Sequence, residues 1–301
     1  IRDPRFFVAN RETLRSASKA ERGWTEGSSG NGMLVIGGPG TGKTSLLAVS
    51  QLKLATREVV WLPVHQRGLL DALAGELRCP AREQLVLRRL QDRKRVVIID
   101  DIQRLLAPGP RAASELEWLL GLIAATSASC FWLVSIEREL QRLVEPLIAL
   151  RVAFATVVEL EGRDADELET AVIARHRISG KPLIYPQEPR LRGLLTRIPG
   201  VRTRSRERQF FIRLAEVGKG NLRAALAEWC RRAAVQGDDL TLAQPGRSRG
   251  LPFVRQLPQP ALTVLVTLLR FGPCHSAELA EALVIPVEDL TRWLHFLLMA
   301  G

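Results

Sequence analysis

Cysteine is scarce and scattered. Cys79, Cys130, Cys230 and Cys274 stand far apart, with no C-x-x-C pair and no histidine pair nearby among the 4 histidines. This spacing supports neither a disulfide framework nor a zinc cluster, so reduced thiols of a cytoplasmic protein are expected. No secretory leader is read at the start. Long apolar runs are also nearly missing. The exception is the uncharged window from Trp118 to Ile136, long enough to raise the question of a membrane span. Thr126-Ser127-Ala128-Ser129 interrupts it, which predicts a buried helix, a polar turn and a buried strand instead, and no membrane partner. Lysine is rare, at 6 against 37 arginines.

What is present is a chain of 301 residues, 46% apolar, with a formal charge of +11. That length should form two or more domains with a sizeable core, and the charge allows a polyanionic partner. Gly301 falls inside an apolar helical pattern, so the chain is expected to be part of a longer protein.

The most informative stretch is Gly37-Gly38-Pro39-Gly40-Thr41-Gly42-Lys43-Thr44, preceded by Met33-Leu34-Val35-Ile36 and followed by Ser45-Leu46-Leu47-Ala48. A short buried strand enters a glycine-rich turn that opens a helix. The backbone N–H groups of such a turn point at phosphate oxygens, and the helix dipole favours negative charge there. Gly38, Gly40, Thr41, Gly42, Thr44 and Ser45 are the expected cradle. Lys43 would reach the β- and γ-phosphates of ATP, or the β-phosphate of ADP, and the Thr44 hydroxyl would ligate Mg²⁺.

A second motif, Arg95-Val96-Val97-Ile98-Ile99-Asp100-Asp101, sets four apolar β-formers before two carboxylates. A buried strand delivers such carboxylates to the C-terminal edge of the sheet, where open α/β folds bind ligands. Asp100 would orient Mg²⁺, directly or through water, and Asp101 would polarise an attacking water. Glu58–Val64 reads as another strand, and Gly68–Leu90 as helical. The strand–helix alternation predicts a parallel sheet covered on both faces.

Together, Gly37–Thr44 and Val96–Asp101 resemble the two Walker motifs of the additional-strand P-loop ATPases, specifically the AAA+ and STAND groups. The resemblance implies further assignments. Cys130–Ser135 is similar to the sensor 1 strand, with Ser135 as the polar residue near the γ-phosphate and the attacking water. Glu145–Leu160 resembles the segment that carries a subunit-bridging arginine, which makes Arg151 the candidate finger. The family's Ser-Arg-Phe triplet is missing, and Arg138, close after Ser135, is the alternative. Gly220-Asn221-Leu222-Arg223 resembles the Gly-x-x-Arg of sensor 2, as in replication-initiator relatives, and implies that Arg223 reaches the nucleotide phosphates. No Asn-Lys-x-Asp element of a GTPase occurs, and a small-molecule kinase would not explain the later segments.

The expected fold class is therefore α/β: a P-loop NTPase core with a parallel sheet over 1–162, a helical lid over 163–243, a linker over 244–256 and an incomplete winged-helix-like domain over 257–301. Asp164 should open the first lid helix. Arg190–Arg208 carries seven arginines and one glutamate, either as a solvated loop or as a polyanion contact led by Arg202, Arg204 and Arg206. Residues 258–301 hold two arginines against four acidic residues, a net of −2 that suits a protein partner better than DNA. Homo-oligomerisation, and nucleic acid bound through the basic core and lid, are the partners implied. The alternative is a signalling switch with slow hydrolysis and protein partners, which Asp-Asp in place of Asp-Glu favours.

Overall fold

The computed structural model describes residues 11–27, 30, 32–53, 58–62, 68–104, 111–186, 201–246, 252–271 and 275–300. Its elements run α1 (Arg11–Thr25), β1 (Gly32–Gly37), α2 (Lys43–Lys53), β2 (Glu58–Leu62), α3 (Leu69–Leu77), α4 (Glu83–Gln91), β3 (Arg95–Ile99), α5 (Arg111–Ala125), β4 (Cys130–Glu137), α6 (Arg138–Val144) and β5 (Thr156–Leu160). They continue through α7 (Ala165–His176), β6 (Leu183–Ile184), α8 (Val201–Gly218), α9 (Leu222–Arg232), β7 (Ala233–Gln236) and β8 (Asp239–Leu242) to α10 (Gln259–Phe271), α11 (Ser276–Leu283) and α12 (Val287–Ala300). The chain divides into two compact units, one built from 11–37, 46–159 and the region beyond 250, the other from 38–45 and 160–246.

The first unit is organised by a five-stranded sheet in the order β2-β3-β4-β1-β5. β2 pairs parallel with β3, β3 with β4, and β4 with β1. β1 and β3 are buried along their whole length, as is β4 up to Ile136, whereas β2 and β5 at the two edges are partly exposed. This is why the central strands read as unbroken apolar runs: helices cover both faces, and no position alternates toward water. Val35 lies opposite Ser135 and Ile99 opposite Val134, so the chain leaves β1, β3 and β4 at the same edge of the sheet.

The uncharged window is α5, a turn and β4, as the polar interruption predicts. Thr126 is buried; its hydroxyl donates to the Leu122 carbonyl at 2.7 Å and accepts from the Trp132 indole N–H at 3.0 Å. Both polar groups are thereby satisfied inside the core. Trp24 of α1 closes this end, its indole donating to the Ser127 carbonyl at 2.8 Å and its ring 5.6 Å from that of Phe131. No helix among the described residues is long and apolar enough to cross a membrane. The expected single helical stretch from Gly68 is instead two helices. Arg78 caps α3 in the left-handed region (φ 52°), its N–H turned back to α3 carbonyls, and Pro80, without an N–H, cannot resume the helix.

The second unit buries Leu168 and Val172 of α7, Phe210, Phe211 and Leu214 of α8, Ala225 of α9 and Leu242 of β8 in one core. Asp164 caps α7, accepting the Glu167 N–H at 2.8 Å. The sequence predicts only helices here, and the structure adds a three-stranded sheet in the order β6-β8-β7. These strands are two to four residues long, with β7 largely exposed and β8 alternating between buried and half-buried positions, too short for a period-2 pattern to register in the sequence. The Gly237-Asp238 turn between β7 and β8 is the one local sign of the hairpin, with Gly237 at φ 62°. The Arg-rich stretch is also not a loop throughout, since 201–208 lies on α8; residues 187–200 lie outside the described residues. Further along the chain, α10, α11 and α12 pack around Val264, Leu279, Ala280 and Leu290.

Candidate functional site

The loop after β1 follows from its glycines. Gly40 and Gly42 take φ of +74° and +103°, a region that L side chains rarely adopt. Thr41 steadies the turn by donating its hydroxyl to the Gly38 carbonyl at 2.9 Å. At the first position of α2, Lys43 is only 6% exposed and its Nζ donates to the same carbonyl at 3.2 Å. A buried ammonium group beside a helix N-terminus makes this an electropositive pocket suited to a polyanion. Thr44 and Ser45 follow in the first turn, both half-buried.

Residues from far along the chain pack onto this loop. Asn221 caps α9 with its Oδ1, which accepts the Ala224 N–H at 3.1 Å, while its Nδ2 donates to the Pro39 carbonyl. A Cβ placed on Gly40 would strike Asn221 and stand 2.9 Å from Arg223 Cβ. Gly40 is therefore fixed twice, by its dihedral angle and by its neighbours. Gly220, at φ +70°, lies against the Gly162–Arg163 backbone, and its carbonyl accepts the Arg163 N–H at 2.8 Å. A Cβ on Gly42 would stand 3.5 Å from Arg163 Nη2. Gly38, Gly40, Thr41, Gly42, Lys43, Thr44, Ser45 and Arg223 thus gather in one unit. The reading of the sequence omits Arg163 and assigns no task to Asn221. Asn221 precedes a helix as a cap residue and could have been found; Arg163 gives no local signal beyond its place before the Asp164 cap.

The carboxylates of β3 belong to the other unit. Asp100 is buried and Asp101 half-buried. Asp101 turns out of the strand at φ 51°, which for a residue with a Cβ costs roughly 1–2 kcal/mol. Ser135 of β4 holds this turn: its Oγ accepts the Asp101 N–H at 2.7 Å and donates its proton to Asp100 Oδ1 at 2.8 Å. Fully buried, the hydroxyl is engaged on both sides, so Ser135 ties the Asp100 carboxylate to the Asp101 main chain. Among the described residues no three His, Cys, Asp or Glu side chains are grouped to hold a metal.

The two candidate bridging arginines share one partner. Arg151 Nη1 lies 2.8 Å from Glu159 Oε1, and Arg138 Nη2 lies 3.9 Å from Glu159 Oε2, with the Arg151 side chain 43% exposed. Glu159, on the edge strand β5, has no assigned task in the reading of the sequence. An exposed pair of this kind contributes about 0–1 kcal/mol, so Arg151 can leave it at little cost. Of the polyanion candidates, the Arg202 and Arg204 side chains lie outside the described residues. Arg206 is half-buried, and Arg208 pairs with Asp166 at 3.8 Å.

A parallel sheet in the order β2-β3-β4-β1-β5, with a glycine loop after β1 and paired carboxylates after β3, is an α/β P-loop NTPase core. Solved structures share the fold. The Aeropyrum pernix ORC2 protein, solved as ADPNP–ADP complexes, matches at a TM-score of 0.52 and 17% identity, over 96% of this chain and 85% of that one. The Aeropyrum pernix ORC1 protein in complex with DNA matches at 0.50 and 14%, over 97% and 83%. No family model and no curated protein sequence matches the chain.

Proposed function

We propose that the chain is a Mg²⁺-dependent ATPase of the AAA+ type whose lid responds to the bound nucleotide. The observation that carries this reading is the buried Lys43 ammonium in a loop of two left-handed glycines, with Asn221 and Arg223 packed on that loop. Backbone N–H groups and Lys43 bind the β- and γ-phosphates, and Arg223 adds a cation from the lid. Thr44 and Asp100 would each offer a hard oxygen of the kind Mg²⁺ takes, an ion held largely by substrate phosphates and water rather than by a protein cage. Bound there, the ion neutralises charge developing on the phosphoryl oxygens. Asp101, held by Ser135, orients and polarises the attacking water, and its proton passes to the carboxylate. Arg151 of one copy completes the site of a second copy in a homo-oligomer, with Arg138 as the alternative.

Nucleic acid is the partner that the basic charge favours; the fold is shared with ORC1, which was solved with DNA. The competing reading, a STAND-type signalling switch with protein partners, is favoured by the −2 charge of the three-helix segment, here read as part of a winged helix. Titration of the full chain with ATP and ADP tests the first claim: Lys43→Ala should weaken both about 100-fold or more with unchanged thermal stability. Equal affinity in the variant overturns it. DNA binding at low salt, with a steep log–log salt slope, separates the loading ATPase from the switch.

A further inference from the structure

We propose that Arg163 is a phosphate-contacting residue of the nucleotide site, an inference that rests on the reading of the glycine loop given above. Four observations converge on it. Its side chain is only 11% exposed, an uncommon state for arginine unless its charge is answered. The one carboxylate in its ion pair, Glu167 Oε1, is 3.7 Å away on a side chain that is itself 41% exposed, a long and weakly compensating contact. The buried Nε has no hydrogen-bond partner. Lastly, the guanidinium sits against the phosphate loop, with Nη2 3.5 Å from where a Gly42 Cβ would be.

The backbone of Arg163 is not free to carry the side chain elsewhere. Its N–H is bonded to the Gly220 carbonyl at 2.8 Å, and Gly220 opens the motif that packs on Gly40. The main chain of Arg163 is thereby anchored beside the motif that packs on the loop, within reach of the observed guanidinium position at Gly42. A second cation faces it: Arg175, on α7, is held below the usual arginine range by burial and then by the charge of Arg163. The groups that face Arg163 from α7 are thus Glu167 and Arg175, one negative and one positive. With Arg163 included, the cluster carries net positive charge beside a loop built to receive an anion. A phosphate oxygen would answer Nε or Nη2 and supply the compensation that Glu167 gives only in part.

The experiment uses the full chain, calorimetric titration with ADP and a non-hydrolysable ATP analogue, and competition by inorganic pyrophosphate. Arg163→Met keeps length and apolar packing while removing the charge. It should weaken ADP, the analogue and pyrophosphate by about 10- to 100-fold. Glu167→Gln removes the competing carboxylate and should leave affinity equal or tighter. Wild-type affinity in Arg163→Met overturns the proposal while Lys43→Ala still reports on the loop. A loss for ADP with pyrophosphate unchanged assigns Arg163 to the base and also overturns it. If Glu167→Gln loses affinity in step with Arg163→Met, the two residues are a structural pair and the proposal fails. If the wild type binds none of the three ligands, the reading of the loop fails and takes the proposal with it.

Discussion

The phosphate loop and the strand-end carboxylates are built by opposite means. The loop is a matter of backbone: Gly40 and Gly42 adopt dihedral angles that other residues rarely take, and the Lys43 ammonium donates to a backbone carbonyl. The carboxylate end is a matter of side chains. A serine from the adjacent strand donates to the Asp100 carboxylate and accepts the Asp101 N–H at the left-handed turn. A backbone device depends little on which side chains surround it, because its shape is set by main-chain dihedral angles. A side-chain device can be tuned or silenced by a single substitution without disturbing binding. Affinity and turnover should therefore separate cleanly under mutation.

Asp101→Asn is the sharpest way to test that separation. Asparagine tolerates the left-handed region, so the turn should survive and ATP affinity should stay within about twofold, while single-turnover hydrolysis falls about 100-fold or more. Undiminished turnover would remove Asp101 from the chemistry. An effect at least as large is expected at Arg151. Arginine fingers contribute about 10³-fold or more to turnover, so Arg151→Ala should be nearly inactive, and mixing it with Lys43→Ala should restore measurable activity. If Arg151→Ala is fully active, Arg138 becomes the residue to change, and Glu159 the carboxylate that holds a surface arginine.

Ser135→Ala should act on both carboxylates together. It leaves a buried Asp100 oxygen and the Asp101 N–H without their shared partner, at roughly 1–3 kcal/mol. Thermal stability and turnover should fall while nucleotide affinity holds; a loss confined to affinity would contradict the division between the two regions. The smallest effect lies in the helical unit. Glu228 is 5% exposed and accepts from Arg232 Nε at 2.8 Å and from the Gly246 N–H at 3.1 Å, with Arg231 at 3.2 Å. Burial alone would raise its pKa, but the Arg232 hydrogen bond, the Gly246 N–H and the two arginine charges outweigh burial and hold it below the usual carboxylate range. A depressed carboxylate stabilises above its unfolded pKa, and that stability is lost as pH falls through the folded value. Acid titration of thermal stability should thus be shallower in Glu228→Gln than in the wild type below about pH 4.5.

What the sequence makes legible divides along similar lines. The glycine loop and the Asp pair are readable because local backbone demands and an unbroken apolar strand fix them within a few residues. The polar interruption at Thr126–Ser129 is readable for the same reason. Arg163 is not: its neighbours Gly162 and Asp164 read as the lead-in to a helix, and its place beside Gly42 depends on Gly220, which the fold brings from far along the chain. Glu159 looks like any exposed residue of an edge strand until two arginines are found on it. The β6–β8 sheet escapes because strands of two to four residues carry no period, and the break at Arg78–Pro80 because the helical pattern resumes beyond it.

Gly162 and Gly220 meet without side chains: a Cβ on Gly220 would lie 2.8 Å from Gly162 Cα. Side chains at a contact act as springs, since rotamers can turn and absorb a displacement of a few tenths of an ångström. Two bare backbones joined by the Arg163 N–H bond to Gly220 have no such slack. A shift of Gly40 against Asn221 would thus meet, at the start of α7, a contact with no rotamer to absorb it. The stiffness of this joint comes from two residues that contribute no side-chain atoms to it.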